Sequence, residues 1–203
     1  MSRDPVRAGS QFFGGRVCLD FANTLDWRLT ADPVELIPDY ESLLAWSARR
    51  GTLTSAAVKQ LRARQDRHKS RAGIVLAQAH TLRAQIWSAA DDLRAGGRAS
   101  LSGFNALLAR LPRQPALEQQ ADRCIFGLEG TDLEEPLWPV LWSLTAVLAS
   151  EDAARLGSCQ AQGCGWYFVD ESPNHSRLWC SSEVCGNRER ARRAYSKRRR
   201  QQT

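Results

Sequence analysis

Cys159 and Cys164 are separated by four residues, and so are Cys180 and Cys185; fifteen residues lie between the two pairs. Two close cysteine pairs joined by a short loop can bring four thiolates to the corners of a tetrahedron, the coordination that Zn²⁺ takes in closed structural sites. The opening Met1-Ser-Arg-Asp-Pro lacks the apolar stretch of a signal peptide, so a cytoplasmic location is expected, and there clustered cysteines read as metal ligands rather than disulfides. No C-x2-C redox motif is present. A catalytic zinc would keep an open position, usually with a mixed ligand set. His175 is the nearby candidate for such a set, but its polar turn makes it a loop or phosphate-facing residue. The spacing therefore predicts one structural Zn²⁺ on Cys159, Cys164, Cys180 and Cys185. Cys18 and Cys124 stand singly in apolar runs and are expected to be buried core thiols without chemistry.

Behind Cys185 come Gly186, Asn187 and a run of cations. Arg188, Arg190, Arg192, Arg193, Lys197, Arg198, Arg199 and Arg200 stand with one acid, Glu189, so this tail carries +7 and the preceding 185 residues −1, for a net charge of +6. Such asymmetry points to an anionic partner, most often nucleic acid. Asn187 is expected to cap a helix over 188–200. One face would then hold Arg188, Arg192, Tyr195 and Arg199, and a neighbouring face Arg190, Arg193, Lys197 and Arg200. A zinc tetrathiolate is itself anionic, so the surface for an anion must be the helix rather than the metal site.

The elements that must position these groups follow from composition and periodicity. A chain of 203 residues, 43% hydrophobic and 25% charged, can bury a real core, and no apolar run reaches the ~18 residues of a membrane span. Residues 1–15 read as loose. Arg16 to Trp27 fits either a short strand or a helical turn. Asp39 caps a helix stopped at Gly51, Thr54 or Ser55 caps the next, and a long helix runs from about Ala72 to Leu93 before Gly96-Gly97. Ser102 to Leu111 forms another, stopped by Pro112; Arg123 to Glu129 reads as a strand; and a helix starts at Pro136. Trp166 to Val169 is an aromatic β-type run, and Asp170 to Ser176 is turn chemistry that returns Cys180 to the first pair. The segment from Cys159 to Cys185 is too short to bury enough surface to fold alone, and metal would supply on the order of 10 kcal/mol. Trp166, Phe168 and Trp179 would cover the thiolates. The expected fold is mainly α (α+β): a helical N-terminal domain with a few short strands over 1–157, and over 158–203 a small four-cysteine zinc finger ending in a basic helix.

The string from Cys159 through Gly165-Trp-Tyr-Phe-Val-Asp170, Ser172, Asn174, Ser176, Arg177 and Trp179-Cys180-Ser181 to Cys185-Gly186-Asn187-Arg188 closely resembles the CGNR zinc finger. Upstream, Cys18-Leu19-Asp20-Phe21-Ala22-Asn23-Thr24-Leu25, with Arg28 soon after, looks like the signature of the ABATE domain, which pairs with such fingers in bacterial transcription regulators. The resemblance implies four zinc cysteines, binding of duplex DNA and regulation of transcription. His175 and Leu178 stand where a basic or small residue and often Arg are found, so this finger loop carries less positive charge than is typical.

The function expected from the sequence is a zinc-dependent DNA-binding regulator. Its candidate DNA contacts are Arg177, Asn187, Arg188, Arg190, Arg192, Arg193, Lys197, Arg198, Arg199 and Arg200. The helical domain would sense a small-molecule effector or form a homodimer. Asp20, Asn23 and Arg28 are candidate ligand contacts; the alternative is that Asp20 or Asn23 caps a helix or satisfies buried backbone groups. The other functional class is an RNA-associated or protein-interaction module using the same tail. An enzyme is not expected, because the sequence shows no nucleophile–base pair, phosphate-cradling loop or carboxylate dyad.

Overall fold

The computed structural model describes residues 12–109, 116–120, 123–127 and 132–201. Residues 1–11 of the loose stretch expected over 1–15, and the helix stop expected at Pro112, lie outside them. Among the described residues seven α-helices dominate, and the strands form three separate two-stranded antiparallel sheets, so the fold is mainly α.

The helix boundaries follow local chemistry. Helix α2 (Tyr40–Arg50) starts where the Asp39 carboxylate accepts the Ser42 N–H at 2.7 Å and stops at Gly51, whose φ of 71° is left-handed. The Thr54 hydroxyl accepts the Ala57 N–H to open α3 (Ser55–Arg67). Helix α4 (Lys69–Arg94) buries Ala72, Val75, Ala79, Leu82, Ile86 and Ala90, an apolar stripe at spacings of three and four. Helix α5 (Ser102–Leu108) and helix α6 (Trp138–Leu148) complete this layer, α6 being preceded by a 3₁₀ turn at Glu135–Leu137.

The ambiguous segment at Arg16 folds as a helix, α1 (Val17–Ala22). It neither alternates nor shows one apolar stripe because Cys18 through Ala22 are all buried. The helix is enclosed by α4, by α6 and by a strand from the C-terminal region, β6 (Tyr167–Val169). Strand β1 (Leu25–Asp26) then pairs with β2 (Val34–Glu35). Strand β4 (Arg123–Gly127) occupies the expected strand region and pairs with β3 (Ala116–Gln120), which its polar Glu-Gln-Gln sequence conceals. Cys18 is fully buried, and burial pushes its thiol up to about 12. Cys124 corrects the expectation: it is exposed on β4, with Sγ 3.3 Å from the Gln119 side-chain oxygen of the paired strand. An apolar neighbourhood in sequence does not bury a residue on a two-stranded hairpin. Among the described residues no helix is long and apolar enough to cross a membrane.

A charge sits inside this core. Arg83, on the inner side of α4, donates to Glu35 Oε1 at 2.7 Å and to Thr24 Oγ1 at 2.9 Å, and also bonds Glu35 Oε2. Burial alone would raise the Glu35 pKa, but the Arg83 guanidinium and the Ile37 N–H hold its carboxyl below the ordinary value. A carboxylate depressed in this way contributes stability that is present above its unfolded-state pKa and lost as pH falls through the lower folded-state value. Glu35→Gln would leave the buried guanidinium without its counter-charge. We expect it to cost about 3 kcal/mol and to lower the melting temperature by roughly 6–12 °C. Melting curves between pH 7 and pH 2 check the sign: the parent should keep its advantage over Glu35→Gln down to about pH 4.3 and lose it progressively below that.

Candidate metal centre and basic helix

The first cysteine pair is delivered by a knuckle closed on itself. Strand β5 (Leu156–Ser158) pairs with β6, the Cys159 N–H donates to Trp166 O at 2.8 Å, and the Cys164 N–H donates to Ala161 O at 3.0 Å. The second pair is shaped by Ser181, whose hydroxyl accepts the Val184 N–H and whose carbonyl accepts the Gly186 N–H. A wide helical turn over Ser182–Gly186 carries Cys185 and runs directly into α7 (Asn187–Gln201). Ser181 therefore starts the helical run, and the expected cap, Asn187, lies within it with helical φ and ψ. Its side-chain oxygen is instead bonded by Arg190.

The four sulfurs lie within 4.8 Å of one another. Sγ of Cys180 is 3.8 Å from that of Cys164 and 3.5 Å from that of Cys185. Tetrahedral Zn–S bonds of about 2.3 Å place sulfurs about 3.8 Å apart, whereas a disulfide requires about 2.05 Å. Four thiolates this close repel one another, so a cation at the centre is needed for all four to ionise together. The residues thus fit one zinc ion. Trp166, Phe168 and Ala161 are buried around the sulfurs, and Phe13 and Trp179 close the shell. His175 is exposed with its Nδ1 beside Asp170 O, and it is outside the cluster. Gly157 approaches this wall closely: a Cβ there would lie 2.3 Å from the Phe168 ring. Gly157→Ala is expected to cost roughly 1–3 kcal/mol by forcing Phe168 or β5 to move, read as a lower midpoint in denaturant titration.

Residues 15–151 match the ABATE family model, described as "Putative stress-induced transcription regulator", and residues 155–199 match the CGNR zinc finger model. The chain belongs to the ABATE family. Its cysteine centre is that of a CGNR zinc finger and can hold one zinc ion. No curated protein matches the sequence. Neither matching family is described as one of enzymes.

The polar residues of the ABATE signature are engaged with the scaffold. Asp20 is buried, accepting the Gly14 N–H at 2.8 Å and the Arg50 guanidinium at 2.7 Å, and burial pushes its carboxyl above its ordinary value against both of these partners. Asn23 bonds the backbone of Tyr167 in both directions. Arg28 donates to Gly165 O and to the Tyr167 hydroxyl, and its guanidinium carbon lies 4.7 Å from the Tyr167 ring centre and 5.3 Å from that of Trp87. An apolar recess of about 220 Å³ lies elsewhere, between α5 and α6, lined by Leu101, Phe104, Leu108, Leu141, Leu144 and Leu148 among others.

The candidate DNA contacts separate into two groups. Arg177 donates to the carbonyls of Phe13, Trp179 and Cys180, and its guanidinium lies 4.1 Å from the Phe168 ring centre, so it pins the finger loop. Arg188 stacks on Trp27 at 4.3 Å and donates to Cys185 Sγ at 3.5 Å. Arg192 pairs with Glu189, a buried acid whose other oxygen accepts the Gln162 N–H of the first knuckle. Burial opposes ionisation of Glu189, but these partners hold its carboxyl below the ordinary value. The face expected to hold Arg188, Arg192, Tyr195 and Arg199 is thus anchored to the body at its start. From Ala191 to Arg199 every residue is exposed, Arg193, Lys197, Arg198 and Arg199 included, and the side chain of Arg200 lies outside the described residues. The periodicity of the helix was legible in sequence; the anchoring of its first turn was not, because Glu189, Gln162 and Trp27 meet only through the fold.

Proposed function

We propose that this protein is a zinc-dependent DNA-binding transcription regulator whose exit helix, α7, lays its cations on the phosphates of duplex DNA. The observation that carries this reading is the asymmetry of α7. Its first turn is fastened to the cysteine centre through Arg188 and Glu189, and the remaining turns project with cations around most of the circumference. A helix of 15 residues is about 22 Å long, enough to follow a groove across several phosphates. The ABATE and CGNR matches, over 15–151 and 155–199, support the same reading, in which we divide the two working parts at residues 157–158. Arg193, Lys197, Arg198 and Arg199 are assigned to the DNA surface with Arg190 beside them, whereas Arg177 and Arg188 hold the finger in place. The helical domain supplies the regulatory half, through a small effector or self-association.

Fluorescence anisotropy with a labelled duplex at rising salt tests the proposal. Binding should weaken steeply, with log K falling by about 0.9 per contacted phosphate for each decade of salt. Absence of binding by the zinc-loaded protein at low salt contradicts it, and tighter binding to a structured RNA in a parallel titration moves the function to RNA.

A further inference from the structure

We infer that the segment Asn23–Leu29 of the helical domain is the outer shell of the cysteine site and sets how tightly the finger holds zinc. From this one segment, contacts reach four residues beside the metal ligands: Gly163, Gly165, Tyr167 and Arg188. Leu29 N–H donates to Gly163 O at 3.2 Å, and Arg28 donates to Gly165 O at 3.2 Å, so the residues on both sides of Cys164 are held from outside the finger. The Asn23 side chain brackets the Tyr167 backbone, accepting its N–H at 2.8 Å and donating to its carbonyl at 2.9 Å, which fixes the strand leaving the knuckle. Trp27 supports the Arg188 guanidinium that donates to Cys185 Sγ.

The surfaces are shaped for each other. Gly163 and Gly165 take left-handed φ values of 80° and 68°, and a Cβ on either would stand 2.7 Å from the Thr30 methyl or 2.6 Å from Leu29 Cγ. Trp27 is itself held at φ 54°, a conformation a bulky side chain adopts only where its surroundings impose it. None of these residues is a ligand; each positions one. Contacts that orient metal ligands from outside the first sphere commonly change metal affinity 10–100-fold when removed. The fold therefore makes zinc retention a property of both halves of the chain.

The test uses the full-length zinc-loaded protein with the variants Asn23→Ala and Arg28→Lys, the latter keeping the charge but losing the fork that spans Gly165 O and the Tyr167 hydroxyl. Tyr40→Phe serves as the control, since it removes a buried hydrogen bond to Leu133 O elsewhere in the helical domain. Competition with a chromogenic chelator measures zinc retention, and the visible spectrum of the Co²⁺-loaded protein reports the geometry of the thiolates. Zinc should be held roughly 10–100-fold more weakly in Asn23→Ala and Arg28→Lys, with altered Co²⁺ bands, and as in the parent in Tyr40→Phe. Should Asn23→Ala not fold, Arg28→Lys decides. Unchanged zinc retention in the folded variants, or equal weakening in Tyr40→Phe, overturns the inference.

Discussion

Replacing Cys180 with Ser, or stripping the metal with a strong chelator, is expected to unfold the finger around its four sulfurs and to release α7 from the body. Cys180 is buried, with neighbouring sulfurs at 3.8 and 3.5 Å, and its carbonyl accepts a hydrogen bond from Arg177. A serine hydroxyl does not ionise near neutral pH, and without the cation the remaining thiols cannot all remain thiolates. The metal's apparent contribution in sites of this kind is on the order of 10 kcal/mol, larger than the whole stability of many domains. Only part of the loss should be global. Tyr167 and Val169 belong to the helical core, so β6 keeps partners that the knuckles do not have. The expected result is a fall in far-UV helical signal matching α7, loss of duplex binding, and a still cooperative melt of the helical domain; restoring Zn²⁺ to the chelated parent should reverse all three. A zinc-free protein that keeps α7 ordered and binds duplex unchanged would contradict the clamp role given to the metal.

The second large effect is expected from the projecting turns of α7. Arg193, Lys197 and Arg198 are exposed and make no ion pair with another described residue. Their joint replacement by Ala should leave the cysteine centre intact, because the groups that anchor the helix are Arg188, Glu189 and Arg192. If each cation neutralises one phosphate, the salt slope should fall by about 2.7, and affinity at 0.1 M salt should fall roughly 10²–10³-fold. Alanine is also the best helix former, so loss of helix does not explain the result. An unchanged slope would place the nucleic-acid surface elsewhere. Arg177→Ala should behave oppositely, lowering thermal stability and zinc retention, because four backbone carbonyls would lose a donor.

The contrast between Arg193 and Arg177 shows where sequence reasoning stops. Both are arginines in a basic C-terminal region, and nothing in residue type separates them. Arg177 is folded inward over Phe168, while Arg193 lies on a helix that has left the body. Glu189 shows the same limit: in sequence it is the single acid among the tail cations, and in the structure it is the buried peg that ties α7 to Gln162. Helix α1 was ambiguous because burial on every side erases periodicity, and β5 was not read because Leu-Gly-Ser has no strand pattern until Phe168 packs over its glycine.

The helical class, the start and stop of α2, the start of α3, the four metal ligands and the unbalanced charge are all legible in the sequence. These are local quantities, set by capping groups within a few residues, by apolar spacing and by cysteine separation. Only the tertiary structure decided which cations are pins and which are exposed, and that Asn23, Trp27 and Arg28 lie against the zinc knuckle. Those roles depend on groups about 140 residues apart in the chain, whose approach is set by the packing of α1 against β6.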